Sequence, residues 1–477
     1  MHLRDLASKL ALIAACALFF PILGKSAGST FQSLDGAQRA TGKSRPFDSA
    51  QGRPNIVVIL ADDLGRGDYS AFGTADIRTP HLDRLCREGL TFDNFFANSC
   101  VCSPTRAALL TGCHPDRVGV PGVIRDEHPQ DSWGWLAPSA KLLPQVLKSA
   151  GYHSALIGKW HLGLATPNTP NERGFDLFHG FLGDMMDDYW THRRNGFNFM
   201  RHNGEVIDPQ GHATDVFTGW ACDYLADRAQ HKDQPFFLYL AYNAPHNPIQ
   251  PKPDWLAKVQ QREPNMTPVR AKLVALIEHL DDGIGQVLAK LDATGLAQNT
   301  LVIFTSDNGG VLAFGANCGP WRSDKGHMYE GGLRVSGAAR WPGVIQPGGH
   351  TPRFTLTMDI FATACAAAGV AAPAGIDGVS FLPTLRGVAE PPVEREYYFV
   401  RREGGPAYGG KTIEALRRGD LKILQDSPFA PLEMYDLKSD PLEVTNLVAR
   451  NRKQFLDMAA GLRKQIQRGA VVPWQAP

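Results

Sequence analysis

Five short stretches of this 477-residue chain carry side chains that can bind a cation or move a proton. Two are the pairs Asp62-Asp63 and Asp307-Asn308. All four are hard oxygen donors without thiolate or imidazole, a set that suits Ca²⁺, or Mg²⁺, rather than zinc. Asn308 in place of a fourth carboxylate lowers the negative charge, so an anionic substrate can share the ion. In Lys159-Trp160-His161, a continued strand would aim Lys159 and His161 at one face and pack Trp160 behind them. His246, between Pro245 and Asn247-Pro248, sits where no helix can continue. The fifth stretch runs Cys102-Ser103-Pro104-Thr105-Arg106-Ala107-Ala108-Leu109-Leu110-Thr111-Gly112. Pro104 suits a first helical turn, which places Cys102 and Arg106 at a helix N-terminus that attracts anions. A cysteine there is expected to be a nucleophile of low pKa; the structural alternative is a disulfide to Cys100 or Cys113.

These groups need elements to converge them. Residues 55–60 (NIVVIL), 236–241 (FFLYLA) and 301–305 (LVIFT), with the shorter 154–157, are continuous apolar runs, the mark of strands buried on both faces. They lead directly into Asp62-Asp63, His246, Asp307-Asn308 and Lys159/His161. Helical patterns lie between them, as at 142–150 and 269–291. The alternation predicts an α/β fold with a large, mostly parallel sheet flanked by helices. In such sheets ligands bind beyond the carboxyl ends of the strands. A single Asp pair there can be a helix cap, whereas two in equivalent positions point to a site. Gly65, Gly309 and Gly310 are expected to permit sharp turns that bring backbone close to an ion.

Residues 1–28 read as a secretory signal, with Arg4 and Lys9, an apolar run to Leu23, then small residues. The run is too short to span a bilayer. Residues 29–52 read as a flexible tail. The expected product is exported, periplasmic or extracellular, with no stable membrane insertion once the signal is removed. The net charge of +1 shows no basic footprint, so nucleic acid is not an expected partner. Seven cysteines remain after the signal: Cys86, Cys100, Cys102, Cys113, Cys222, Cys318 and Cys365. Export permits disulfides, and the odd number leaves at least one thiol without an intrachain partner.

The Cys-x-Pro-x-Arg segment followed by Ala-Ala-Leu-Leu-Thr-Gly resembles the signature of the formylglycine-dependent sulfatases, in the alkaline phosphatase superfamily. Asp62-Asp63-x-Gly65, Thr79-Pro80-His81-Leu82-Asp83, Gly158-Lys159-Trp160-His161, Ala244-Pro245-His246, Ser306-Asp307-Asn308-Gly309-Gly310 and Glu330-Gly331-Gly332-Leu333-Arg334-Val335 follow in family order. Residues 417–422 and 433–441 resemble the family's C-terminal subdomain. Cys113 departs from the family, which often places a basic residue there. The overall likeness is to arylsulfatases and N-acetylgalactosamine-6-sulfatases.

This resemblance implies a catalytic domain over 53–385 and a smaller α+β subdomain with an antiparallel sheet over 386–477. It implies oxidation of Cys102 to formylglycine by a formylglycine-generating enzyme, and Ca²⁺ held by Asp62, Asp63, Asp307, Asn308 and the modified Cys102. Arg106 would orient the hydrated aldehyde, Lys159 and Lys325 would bind sulfate oxygens, and His161 and His246 would transfer protons. His327 competes for part of the Lys325 role. The implied substrate is a sulfated sugar or an aryl sulfate. The aromatic and charged segment 185–194 is expected near the pocket mouth. Two alternatives are a phosphomonoester or phosphonate hydrolase of the same superfamily, and an unconverted, inactive protein that binds sulfated glycans.

Overall fold

In the computed structural model, residues 52–125, 132–391, 393–403 and 411–474 are described; the expected signal and nearly all of the tail lie outside them. The four apolar runs form adjacent parallel strands. Their order is Thr300–Ser306, Asn55–Ala61, Phe236–Ala241, His153–Lys159, and a fifth parallel strand, Leu177–Phe181, follows. Among the described residues further strands extend this centre on both sides to eleven, paired antiparallel except Gly349–Leu356, which runs parallel to Leu90–Phe96.

Side chains alternate across the sheet with a period of two. Ile56, Val58, Leu60, Leu301 and Ile303 enter one core. Val57, Ile59, Ala61, Val302 and Phe304 enter the other. The first core is covered by the helices Cys102–Thr111, Leu143–Lys148 and Asp359–Ala368. The second lies beneath Pro80–Arg87, Ala213–Arg228 and Pro268–Ala293. Both faces of the sheet are therefore apolar, and the strands have no room for the polar alternation of a solvent-facing sheet.

The C-terminal strands Tyr397–Arg402, Thr412–Arg418, Leu421–Gln425 and Glu433–Asp436 form an antiparallel meander. It is buried on both faces. Tyr397, Phe399 and Ile413 pack with Phe96, Val101 and Ala108 of the larger part. Tyr398, Val400 and Leu416 pack beneath the helix Arg452–Gly469. A charged clamp reinforces the first contact. Lys422, wholly buried, lies 2.9 Å from Glu330 Oε1 and 2.8 Å from Glu443 Oε1. Burial would raise the Glu330 carboxyl, but Lys422, with Arg334 and Arg417, holds it at about 2. The Glu-Gly-Gly-Leu-Arg-Val motif thus anchors the small sheet.

Lys422→Met takes the cation from Glu443 in a dry interface, leaves Glu330 with Arg334 and Arg417, and is expected to lower stability by about 3–5 kcal/mol, read from urea unfolding followed by tryptophan fluorescence. An unchanged unfolding midpoint would show that the clamp contributes little.

Candidate active site

Parallel pairing aligns Ala61 with Ser306, so Asp62 and Asp307 leave the sheet side by side. Asp307 N–H donates to the Ala61 carbonyl, and Asp62 N–H donates to that of Ala244, tying three strand exits together. Asp63 then turns into the left-handed region, at φ 66°. That backbone is strained for a residue with a side chain. It lets the Asp63 N–H reach Asp307 Oδ1 at 3.2 Å.

The Cys102–Thr111 helix is buried along its whole length, and Cys102 Sγ sits 3.5 Å from Asp62 Oδ1. Around it, three carboxylates interleave with three cations. Lys159 Nζ reaches Asp62 Oδ2 at 2.6 Å. Arg106 straddles Asp307 Oδ2 through Nε (3.1 Å) and Nη2 (2.7 Å). Lys325 Nζ meets Asp63 at 2.7 and 2.8 Å. Burial favours neutral carboxyls, but Lys159, His246 and Arg106 hold Asp62 at about 2. Asp63 is likewise lowered, against its burial, by His246 and Lys325. Asp307 moves the other way, raised by burial and the neighbouring Asp62 charge.

Two histidines are fixed in opposite tautomers. A backbone carbonyl can only accept, so His246 Nδ1 must donate to Asn247 O (2.7 Å). Its Nε2 is then the acceptor facing Lys325 Nζ at 3.1 Å. His161 Nε2 donates to Ile124 O at 3.0 Å, leaving Nδ1 buried, lone-paired and without a hydrogen-bond partner. Burial, then the Lys159 and Arg106 charges, depress His161 well below its ordinary value and keep it neutral. Burial and Lys325 also lower His246, although Asp63 opposes them. Lys325, in contrast, is raised by Asp63 despite its burial.

Cys102, Arg106, Lys159, His246, Lys325, Asp62, Asp63, Asp307 and Asn308 come together here, whereas the His161 side chain bonds only to Ile124 O and His327 lies apart. His327 Nδ1 instead contacts Asp426 Oδ2 at 2.6 Å. Two expectations fail in detail. First, the strand ends at Lys159 and His161 adopts φ 59°, so a turn rather than a pleat brings the two together. Trp160 does pack behind them, fully buried, with Nε1 donating to Asn168 O. Second, the Cys102 thiol is raised, not lowered: complete desolvation, with Asp307 and Asp62 nearby, outweighs Lys325 and Lys159. No disulfide claims it, and the seven cysteines from Cys86 to Cys365 are all free thiols. Gly309 and Gly65 also make room for neighbouring backbone. A Cβ at Gly309 would stand 2.0 Å from Gly331 O, and one at Gly65 would stand 2.4 Å from Asn317 O. Sequence reasoning missed the Ile124 and Asn247 carbonyls, because a backbone acceptor has no side-chain signature.

The donor set can hold a cation. Asp62, Asp63, Cys102 and His246 offer ligand atoms within 4.8 Å of one another, two hard carboxylates beside a thiol and an imidazole. The buried Asn308 Oδ1 has no hydrogen-bond partner, while its Nδ2 donates to Asp63 Oδ1 at 2.8 Å. An amide oxygen left unsatisfied beside two carboxylates is an acceptor waiting for positive charge.

Comparison with known proteins agrees with this arrangement. The sulfatase family model matches residues 54–370, and the model for the C-terminal region of N-sulphoglucosamine sulphohydrolase matches residues 320–471. N-acetylgalactosamine-6-sulfatase of Homo sapiens is 35% identical over 354 residues, which are 70% of this chain and 66% of that protein. The match therefore spans about two thirds of the human protein's length. Arylsulfatase A of Homo sapiens is 33% identical over 443 residues, covering 83% of each chain. The solved structure of Ps i-CgsB in complex with k-i-k-neocarrahexaose superposes with a TM-score of 0.79 at 30% identity, covering 87% of this chain and 93% of that one. With the motifs in order, the strand exits converged and most of its length matched, the chain belongs to the sulfatase family of sulfuric ester hydrolases.

Proposed function

We propose that this protein hydrolyses a sulfate monoester on a sulfated sugar or an aryl group, using a formylglycine made from Cys102 and a Ca²⁺ ion, with Mg²⁺ as the alternative. The observation that carries the reading is the buried alternation of Asp62, Asp63 and Asp307 with Lys159, Lys325 and Arg106 around Cys102. Asp62, Asp63, Asp307, Asn308 and the converted Cys102 would hold the ion. The hydrated aldehyde supplies the attacking hydroxyl, and the ion supplies Lewis-acid stabilisation of the oxygens that gain charge.

The chain's own residues do the rest. Arg106, anchored by Asp307, orients residue 102 and offsets its charge. Lys159 and Lys325 hold sulfate oxygens as point charges in a dry site, where such contacts are strong. The Lys325–His246 pair delivers one proton to the departing alcohol oxygen. His161, neutral with Nδ1 available, takes the proton whose removal releases sulfate.

The catalytic domain is assigned to 53–385 and the cap to 386–477. Conversion requires a formylglycine-generating enzyme, and the leader over residues 1–28 is taken to direct export. Among the described residues no helix is long and apolar enough to cross a membrane. The sugar-sulfate preference rests on the likeness to N-acetylgalactosamine-6-sulfatase and to the neocarrahexaose complex.

Mass spectrometry of the peptide carrying residue 102, taken from the native exported protein, is expected to show an aldehyde. A thiol there, with no sulfate released from any ester, would falsify the enzyme reading in favour of a glycan-binding protein. Release of phosphate at rates matching sulfate would favour the phosphoesterase alternative instead.

Lys159→Ala is expected to lower kcat/KM for sulfate release by about 10²–10³-fold. Chelation of divalent ions should abolish turnover, and Ca²⁺ should restore it. Activity that survives exhaustive chelation would remove the ion from the proposal.

A further inference from the structure

The segment 185–194 was expected at the pocket mouth, yet one of its residues is buried against the catalytic loop. Tyr189 is only 1% exposed. Its hydroxyl lies 2.8 Å from the carbonyl oxygens of both Asn243 and His246, and both can only accept. One phenolic proton therefore bridges the two ends of the turn that presents His246. That turn is closed from within by His246 N–H to Asn243 O at 2.9 Å. It is held from the sheet by Asp62 N–H to Ala244 O at 3.1 Å.

Tyr189 is itself immobilised. Its ring stacks on His212, with centroids 5.1 Å apart. Its N–H donates to Gln250 Oε1 at 2.8 Å, and the His212 Nε2–H donates to the Gln250 carbonyl. The strut thus runs from the Ala213–Arg228 helix, which His212 caps through Thr214 N–H, to the imidazole beside Lys325.

We propose that Tyr189 is a positioning residue for His246: it fixes the Asn243–His246 turn so that Asn247 O keeps the imidazole proton on Nδ1 and Nε2 faces Lys325. The inference rests on the reading of the Lys325–His246 pair as the proton source for the leaving alcohol. Without the hydroxyl, the two carbonyls lose their shared donor and the turn can rotate, which separates Nε2 from Lys325. The S–O bond to the alcohol then breaks with less protonation of the departing oxygen. The cost depends on that oxygen. A sugar alkoxide needs the proton, whereas 4-nitrophenolate leaves without it.

The test compares Tyr189→Phe with the wild type on a sulfated monosaccharide and on 4-nitrophenyl sulfate. The expected result is a kcat loss of about 10-fold or more on the sugar ester, little change on the aryl ester, and KM unchanged on both. In a His246→Gln background, the same substitution should have no further effect on the sugar ester. Equal losses on the two esters, or losses that multiply with His246→Gln, would overturn the positioning role. If the wild type cleaves neither ester, the sulfatase reading fails instead, and the two failures are distinct. A second readout needs only folded wild-type protein: the ¹⁵N spectrum of histidine-labelled enzyme, with His246 assigned through His246→Gln. It should show the Nδ1–H tautomer, and the Nε2–H form would overturn the inference.

Discussion

The rest of the site depends on burying three carboxylates where water cannot reach them. Asp62 and Asp307 are wholly buried and Asp63 nearly so. Each would be neutral in such surroundings without a partner, because desolvation penalises the charged form. Lys159, Arg106 and Lys325 each supply one charge, and each arrives from a different element: a strand end, a helix and a loop. The ion network therefore fixes the relative placement of three strand exits, the Cys102 helix and the segment carrying Lys325. Breaking any pair leaves a charge uncompensated, so the geometry is held by a penalty on every alternative. A divalent cation adds positive charge to the same carboxylates and leaves the ammonium groups free to face an anion.

This explains which parts of the molecule were legible in the sequence. The central strands were, because a strand buried on both faces is apolar along its length, and residues 55–60 and 301–305 are strand-length runs rich in β-branched residues. The acidic pairs were legible because they stand directly after those runs. The left-handed turns at Asp63 and His161 were not: Asp and His enter positive φ more readily than most residues, but which of them does so is set by tertiary contacts. The Cys102 thiol was misread for a related reason. A helix N-terminus lowers a thiol pKa only where solvent or free positive charge supports the thiolate. Here Lys159 and Lys325 are already committed to carboxylates.

The C-terminal sheet shows a similar limit. From the sequence it is a smaller subdomain beginning near residue 386 that closes over the large domain, with no residue-level contact assigned between them. In the folded protein it shares a hydrophobic cluster with Phe96, Val101 and Ala108, the last of these on the helix that begins at Cys102. Its Lys422 pairs with Glu330 in a motif of the large part. Loss of the small sheet would expose one side of the Cys102 helix and leave Glu330 with Arg334 alone, without Lys422 and Arg417, so the two parts are expected to unfold together. Glu330 read as a family residue of unstated purpose; its position shows that its work is structural.

The two histidines show how little side-chain chemistry is needed to set a proton's place. His161 and His246 are the same residue in equally dry surroundings, and both are kept neutral. They differ in which ring nitrogen a main-chain carbonyl claims: Ile124 O takes Nε2–H of His161, and Asn247 O takes Nδ1–H of His246. One imidazole therefore presents Nδ1 as its lone pair and the other presents Nε2. Carbonyls do this reliably because they cannot donate, so neither tautomer can invert without losing a buried hydrogen bond. The division of labour between a proton acceptor and a partner for Lys325 follows from backbone geometry, and it holds only as far as the turns bearing those carbonyls are themselves held in place.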